Sequence, residues 1–233
     1  MELIKKETEL IAALGKEYLS QFMKDNDLYD QVFARIAESL FKNFAIESND
    51  ETYRFVEIEF YLNVTDEDGK PVTYFRDCAE AGEWHIHYSG FDLCLESDND
   101  WYGGILIRSV KRGDYDDDKD FIYGPLKCLK TLFRKMNAFG THDNVPKIVE
   151  SESRFEEDFI PECYTRFGID EDRSKRRYRY TIPVTMWKKH SGYSAFPTRK
   201  IQSQVINGDL KFERDRFEEA AHINDRTPKT AEL

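Results

Sequence analysis

Three groups of residues have types and spacings that could do chemistry. Along Arg54–Leu62, Phe55, Glu57, Glu59 and Tyr61 alternate with Val56, Ile58, Phe60 and Leu62. On a strand this puts two carboxylates and a phenol on one face and an apolar stripe on the other. A carboxylate opposite an apolar stripe is well placed for a cleft, where it can act as a general base. Ordinary alternation offers a competing reading, in which Glu57 and Glu59 occupy a solvated sheet face. Arg108 shares a strand face with Leu106 and Val110, neighbours that favour burial. A buried arginine needs an acidic partner. Glu59 is the candidate, and such a pair favours the ionised carboxylate that a base requires; a structural ion pair elsewhere is the alternative. His85 and His87, at i and i+2, project to one face and could hold a metal with Asp92 or Glu96 as a third ligand. Two histidines alone fall short of a first shell, so no metal or other cofactor is expected.

The elements that must position these groups read as a single-domain α+β fold. N-terminal helices pack on a mixed, largely antiparallel curved sheet, with Tyr53–Val110 as its functional centre. Leu3, Leu10, Leu14, Tyr18 and Phe22 recur at near-helical spacing. Leu28, Val32, Phe33, Ile36, Leu40, Phe41 and Phe44 form a cleaner apolar stripe, with Asp25 and Asn26 placed to cap it. At Ser48-Asn49-Asp50 the period changes from helical to alternating. Strands are expected at Arg54–Leu62, Trp84–Tyr88, Phe91–Glu96 and Gly104–Val110, with Ser89-Gly90 as a tight hairpin link. Gly113–Asp120 reads as a solvated acidic loop, and Gly124-Pro125 opens a helix to about Met136. Arg177–Met186 alternates again, and Pro183 favours an edge strand there. The expected organisation is an N-terminal helical appendage at 1–26, the α+β domain at 27–212, and a C-terminal helix and frayed tail at 213–233.

Composition narrows the classes further. With 233 residues the chain can bury a sizeable core without disulfides, and 17 Phe, 13 Tyr and 3 Trp make large rings its main content. Cys78, Cys94, Cys128 and Cys163 form no C-x-x-C pair, which argues for free thiols in a reducing compartment. No apolar run approaches the roughly 18 to 20 residues of a membrane helix, and the N-terminus carries no signal-peptide core; a cytoplasmic protein without membrane contact, favoured as a monomer, is expected. The net charge of −11 speaks against broad nonspecific nucleic-acid binding. Its distribution is uneven: Arg166–Lys200 holds ten Lys or Arg against three acids. That stretch fits either a localised anion site or a basic strand solvated on one face. No phosphate-binding loop, dinucleotide fingerprint, H-E-x-x-H or nucleophile elbow is present.

The ordered motifs resemble the alkyladenine (methylpurine) DNA glycosylases. Arg54-Phe55-Val56-Glu57-Ile58-Glu59-Phe60-Tyr61-Leu62 is similar to that family's strand whose second Glu is the catalytic base. Ala34–Phe44 resembles its helix-to-strand entry, and Trp84–Glu96 resembles its hairpin, with Gly90 at the turn and Cys94 four residues later. Gly104-Ile105-Leu106-Ile107-Arg108 resembles the strand ending in its active-site Arg, and Gly124-Pro125-Leu126-Lys127 a helix start. Arg166-Phe167-Gly168-Ile169-Asp170, followed by Arg177-Tyr178-Arg179-Tyr180, resembles its closing motif. The order agrees over roughly residues 30 to 182.

The resemblance implies base excision without strand cleavage: direct hydrolysis of the N-glycosidic bond of a damaged base, with DNA as partner. It makes Glu59 and Arg108 catalytic, with Arg108 orienting Glu59. Tyr61, Tyr88, His85, His87 and Glu96 become substrate-binding, with Tyr61 lining the base pocket and Tyr88 the duplex wedge. Arg176, Arg177, Arg179, Lys188 and Lys189 become nucleic-acid contacts. The sequence departs from the family at Lys70, where a His stands, at Glu96, where an Asn stands, and in its acidic balance. A relative that kept the fold without the activity therefore stays open. So do a non-enzymatic module binding a ligand or protein through the aromatic sheet face, and a metal-dependent enzyme using His85 and His87.

Overall fold

The computed structural model describes residues 26–62, 82–95, 103–116, 121–137, 139, 144–151, 159–164, 166, 178–183 and 186. The chain divides into two units, Met1–Gly192 and Tyr193–Leu233, and every described residue belongs to the first. The expected N-terminal appendage up to residue 25 and the C-terminal helix and tail lie outside the described residues.

Helix α1 (Asn26–Asn43) follows the apolar stripe, burying Phe33, Ile36, Ala37, Leu40 and Phe41. It stops where Phe44 begins strand β1 (Phe44–Ser48). Asn49 and Asp50 both take positive φ, 56° and 64°, and Ser48 pairs with Glu51. A two-residue turn with both central residues left-handed suits the twist of a hairpin, and Asn and Asp tolerate that conformation. The change of period seen in the sequence is thus a β-hairpin into β2 (Glu51–Leu62).

Strand β2 is the spine of the sheet. Along one edge it pairs with β5 (Gly103–Arg112); along the other it pairs first with β1, then with β9 (Arg179–Thr181). Beyond β5 lie β4 (Gly90–Cys94) and β3 (Trp84–His87), while β6 (Phe121–Tyr123) pairs with the far end of β5. Strand β7 (Lys147–Glu150) pairs with β1, and β8 (Glu162–Tyr164) with β9. All these pairings are antiparallel, giving an α+β fold built on a curled sheet. Strand β9 lies between β2 and β8, so it is an interior strand, not the edge strand that Pro183 implied. Pro183 falls past its end, where no ladder donor is needed.

Both faces of β2 are covered. On the apolar face Phe33 stacks on Phe60 at 4.3 Å between ring centroids, and Tyr178 and Tyr180 meet the same rings edge-on. Ring pairs of this kind add about 0.5–1.5 kcal/mol each beyond their area burial. The second helix, α2 (Pro125–Leu132), starts at the Gly-Pro as the sequence indicates but ends a turn early. Side chains from the β1–β2 turn explain this. Ser48 Oγ donates to the Leu132 carbonyl, and Asn49 Nδ2 donates to the Thr131 and Leu132 carbonyls at 3.1 and 3.0 Å. Helix-terminal carbonyls need partners. Here the partners lie more than eighty residues away in sequence.

The start of the acidic loop is buried rather than solvated. Asp114 pairs with Arg54 at 3.1 Å, both nearly inaccessible. The Tyr115 hydroxyl donates to the Phe41 and Phe55 carbonyls at 2.9 and 2.6 Å, tying α1 to β2.

Candidate functional site

The register between β2 and β5 is irregular at one place. Phe55 pairs with Val110 and Glu57 with Ser109, but Ile58 pairs with Ile107, so the register skips Val56 on one strand and Arg108 on the other. A bulge of this kind re-aims a side chain. Its effect is that Arg108 and Ser109, consecutive in sequence, both reach Glu57. Arg108 Nε donates to Glu57 Oε1 at 3.1 Å, and Ser109 Oγ donates to Glu57 Oε2 at 2.8 Å.

Glu59 sits one row along and is fully buried. Arg108 Nη1 lies 3.3 Å from Glu59 Oε2, and the Tyr61 hydroxyl donates to the same oxygen at 2.8 Å. The expected Arg108–Glu59 contact is therefore present, but Arg108 bridges both carboxylates. From the far side Arg179 Nε approaches Glu57 Oε1 at 3.1 Å. Neither Glu57 nor Glu59 lies on a solvated face.

The electrostatics follow from this crowding. Burial pushes the Glu57 carboxyl up, but Arg108 and Arg179, with the Ser109 and Arg108 hydrogen bonds, outweigh it and hold Glu57 below its ordinary value. Burial pulls the Arg108 guanidinium down, while Glu59 and Glu57 push it above its ordinary value. Arg108 thus stays a cation beneath two acids.

Cross-strand pairing extends the site into a row on one sheet face. His85, Asp92, Leu106, Glu59, Arg179 and Tyr164 are successive partners across β3, β4, β5, β2, β9 and β8. Direct partners share a face. Tyr61 is held by its hydroxyl and by the Arg166 guanidinium, 5.5 Å from its ring centroid; Arg166 also covers Tyr178 at 5.1 Å.

Of the other residues singled out from the sequence, Tyr88 is 91% exposed at the β3–β4 turn. That turn is Tyr88-Ser89, since His87 pairs with Gly90. The His85 and His87 rings stack 5.8 Å apart, and His87 Nε2 lies 3.2 Å from Asp92 Oδ1. Among the described residues, no group of three or more His, Cys, Asp or Glu is placed to hold a metal ion. Arg179 is 1% exposed and faces Glu57 and the Tyr164 ring. Glu96, Arg176, Arg177, Lys188 and Lys189 lie outside the described residues.

Two contributors escape sequence reasoning. Glu57, read only as a possible solvated acid, is the residue on which Arg108, Ser109 and Arg179 converge. Ser109 carries no signal, because its reach depends on the bulge. Chemically, the cluster presents a buried carboxylate, Glu59, between a cation and a phenol, braced by a second carboxylate.

No protein-family model matches the chain, and no curated protein matches it. Among the described residues, no helix is long and apolar enough to cross a membrane.

Proposed function

We propose that the sheet face built on Glu59 belongs to a base-excision glycosylase, a cytoplasmic hydrolase that cleaves the N-glycosidic bond of a damaged base in DNA. The observation that carries the reading is the Tyr61–Glu59–Arg108 contact, a buried carboxylate held by one cation and one phenol. In this reading Glu59 orients and deprotonates water as positive charge develops on the sugar. Arg108 orients Glu59, and Glu57, braced by Ser109 and Arg179, fixes Arg108. Tyr61 lines the base pocket, and Tyr88, exposed at a hairpin tip, acts as the wedge that helps extrude the nucleotide. The chemistry is direct hydrolysis, without a covalent intermediate or strand cleavage. The α+β domain would be of the alkyladenine-glycosylase type.

One observation favours a second reading. Glu59 is fully buried, which suits a relative that keeps the ion cluster as scaffold and uses the same face and its hairpin to bind without cleaving. Release of free base from alkylated DNA, measured for the wild type and for Glu59→Gln, separates the two.

A further inference from the structure

The β3–β4 hairpin carries a second arrangement of reactive groups that the Glu59 cluster does not use. Ser89 Oγ lies 2.8 Å from His87 Nδ1, and the Ser89 backbone N–H donates to the same nitrogen at 3.3 Å. On its other side His87 Nε2 lies 3.2 Å from Asp92 Oδ1. The amide can only donate, so Nδ1 carries a lone pair. In the neutral ring the proton then resides on Nε2 and points at Asp92, the tautomer being set by the bond the other nitrogen makes. The lone pair at Nδ1 faces the Ser89 hydroxyl.

Burial grades across the three residues in the sense that nucleophilic catalysis needs. Asp92 is fully buried, the His87 side chain is 9% exposed, and Ser89 is half-buried in the turn beside the fully projecting Tyr88. A buried carboxylate holds the imidazole in one tautomer and stabilises the imidazolium that forms when it takes a proton. The nucleophile is recognised by geometry, a hydroxyl within hydrogen-bond reach of a base that a third group orients. The strand register explains how so short a segment supplies all three. His87 and Ser89 flank the turn, and Asp92 pairs across the hairpin with His85, the neighbour of His87 on one face.

We infer that Ser89, His87 and Asp92 form a nucleophilic site for acyl transfer, acting on small esters that reach the exposed hairpin tip. This is an activity separate from that proposed for Glu59. Ser89 Oγ attacks the ester carbonyl and forms a new C–O bond while its proton passes to His87 Nδ1. The bond to the alkoxide breaks as that proton is delivered to the leaving alcohol. Water, deprotonated by the same nitrogen, then hydrolyses the acyl-serine and releases a carboxylic acid. Ser89 and His87 are the catalytic residues; Asp92 is a positioning residue.

The test uses the full chain and an alkyl fluorophosphonate, with intact mass and peptide mapping as the readout. Wild type is expected to gain one phosphonyl group on Ser89 with loss of fluoride. Ser89→Ala should gain none. His87→Gln should react about 100-fold more slowly, the usual size of a general-base contribution. Failure of wild type to label at Ser89, or equal rates in wild type and His87→Gln, overturns the assignment. Because the wild-type reaction alone can refute it, a folding defect in a variant does not protect the idea.

Discussion

Arg108 reaches Glu57 through its Nε at 3.1 Å even though the β2–β5 register skips Arg108 altogether. The skipped position turns a strand residue into a bridge between two buried acids. Removing one partner of a buried ion pair leaves an uncompensated charge and costs about 3–5 kcal/mol. Arg108→Met should therefore lower stability by that order in denaturant titration. Combined with Glu57→Gln it should lose clearly less than the two single losses added together, because the pair is coupled.

The pH dependence of folding should reflect Glu57. Its folded-state value is held below the ordinary 4.5 by Arg108, Arg179 and Ser109 against the opposing effect of burial. A depressed carboxyl contributes stability that is present above the unfolded value and lost as pH falls through the folded one. Wild type should thus weaken as pH drops below about 4.5. Glu57→Gln, less stable at neutral pH, should show a shallower acid slope in thermal melts at successive pH values.

Tyr115 offers a separate test of how α1 is tied to the sheet. Its hydroxyl serves the carbonyls of Phe41 and Phe55, and burial raises its ionisation well above the ordinary value. Tyr115→Phe removes the donor to both and should cost about 1–3 kcal/mol. The urea midpoint should fall without a change in slope.

Much of the fold was legible in the sequence. The helical stripe from Leu28 to Phe44 and the alternation through β2 gave α1 and the sheet's spine, since both patterns are long enough to fix a period. The hairpin β3–β4 followed from its tight-turn signal, one residue out of place: the turn is Tyr88-Ser89 rather than Ser89-Gly90. Strands β1, β6, β7 and β8 did not follow: they are three to five residues long and, unlike the equally short β3 and β4, came with no recognised hairpin link to mark them. Phe44 illustrates the difficulty: it fits the helical spacing, yet it begins β1. The end of α2 was illegible for another reason, as its carbonyls are taken by Ser48 and Asn49 from a distant turn. At the site, the Glu59–Arg108 contact could be inferred from strand faces and the need of a buried arginine for an acid. The bridge to Glu57 could not, because a bulge is invisible to strict alternation. Arg179 shows the same limit: a basic run suggested solvent or phosphate, while pairing to Glu57 depends on which strand lies next to β2.

The central claim, that Glu59 is a catalytic base, is tested most directly by the release of free base from alkylated duplex DNA. The wild-type chain should release base without nicking the strand, and Glu59→Gln, confirmed folded by its melting curve, should release it at least 100-fold more slowly, as expected for loss of a general base. Equal release by both proteins would remove Glu59 from the chemistry. No release by wild type, with DNA still bound, would contradict catalysis and leave the binding module as the account of this face.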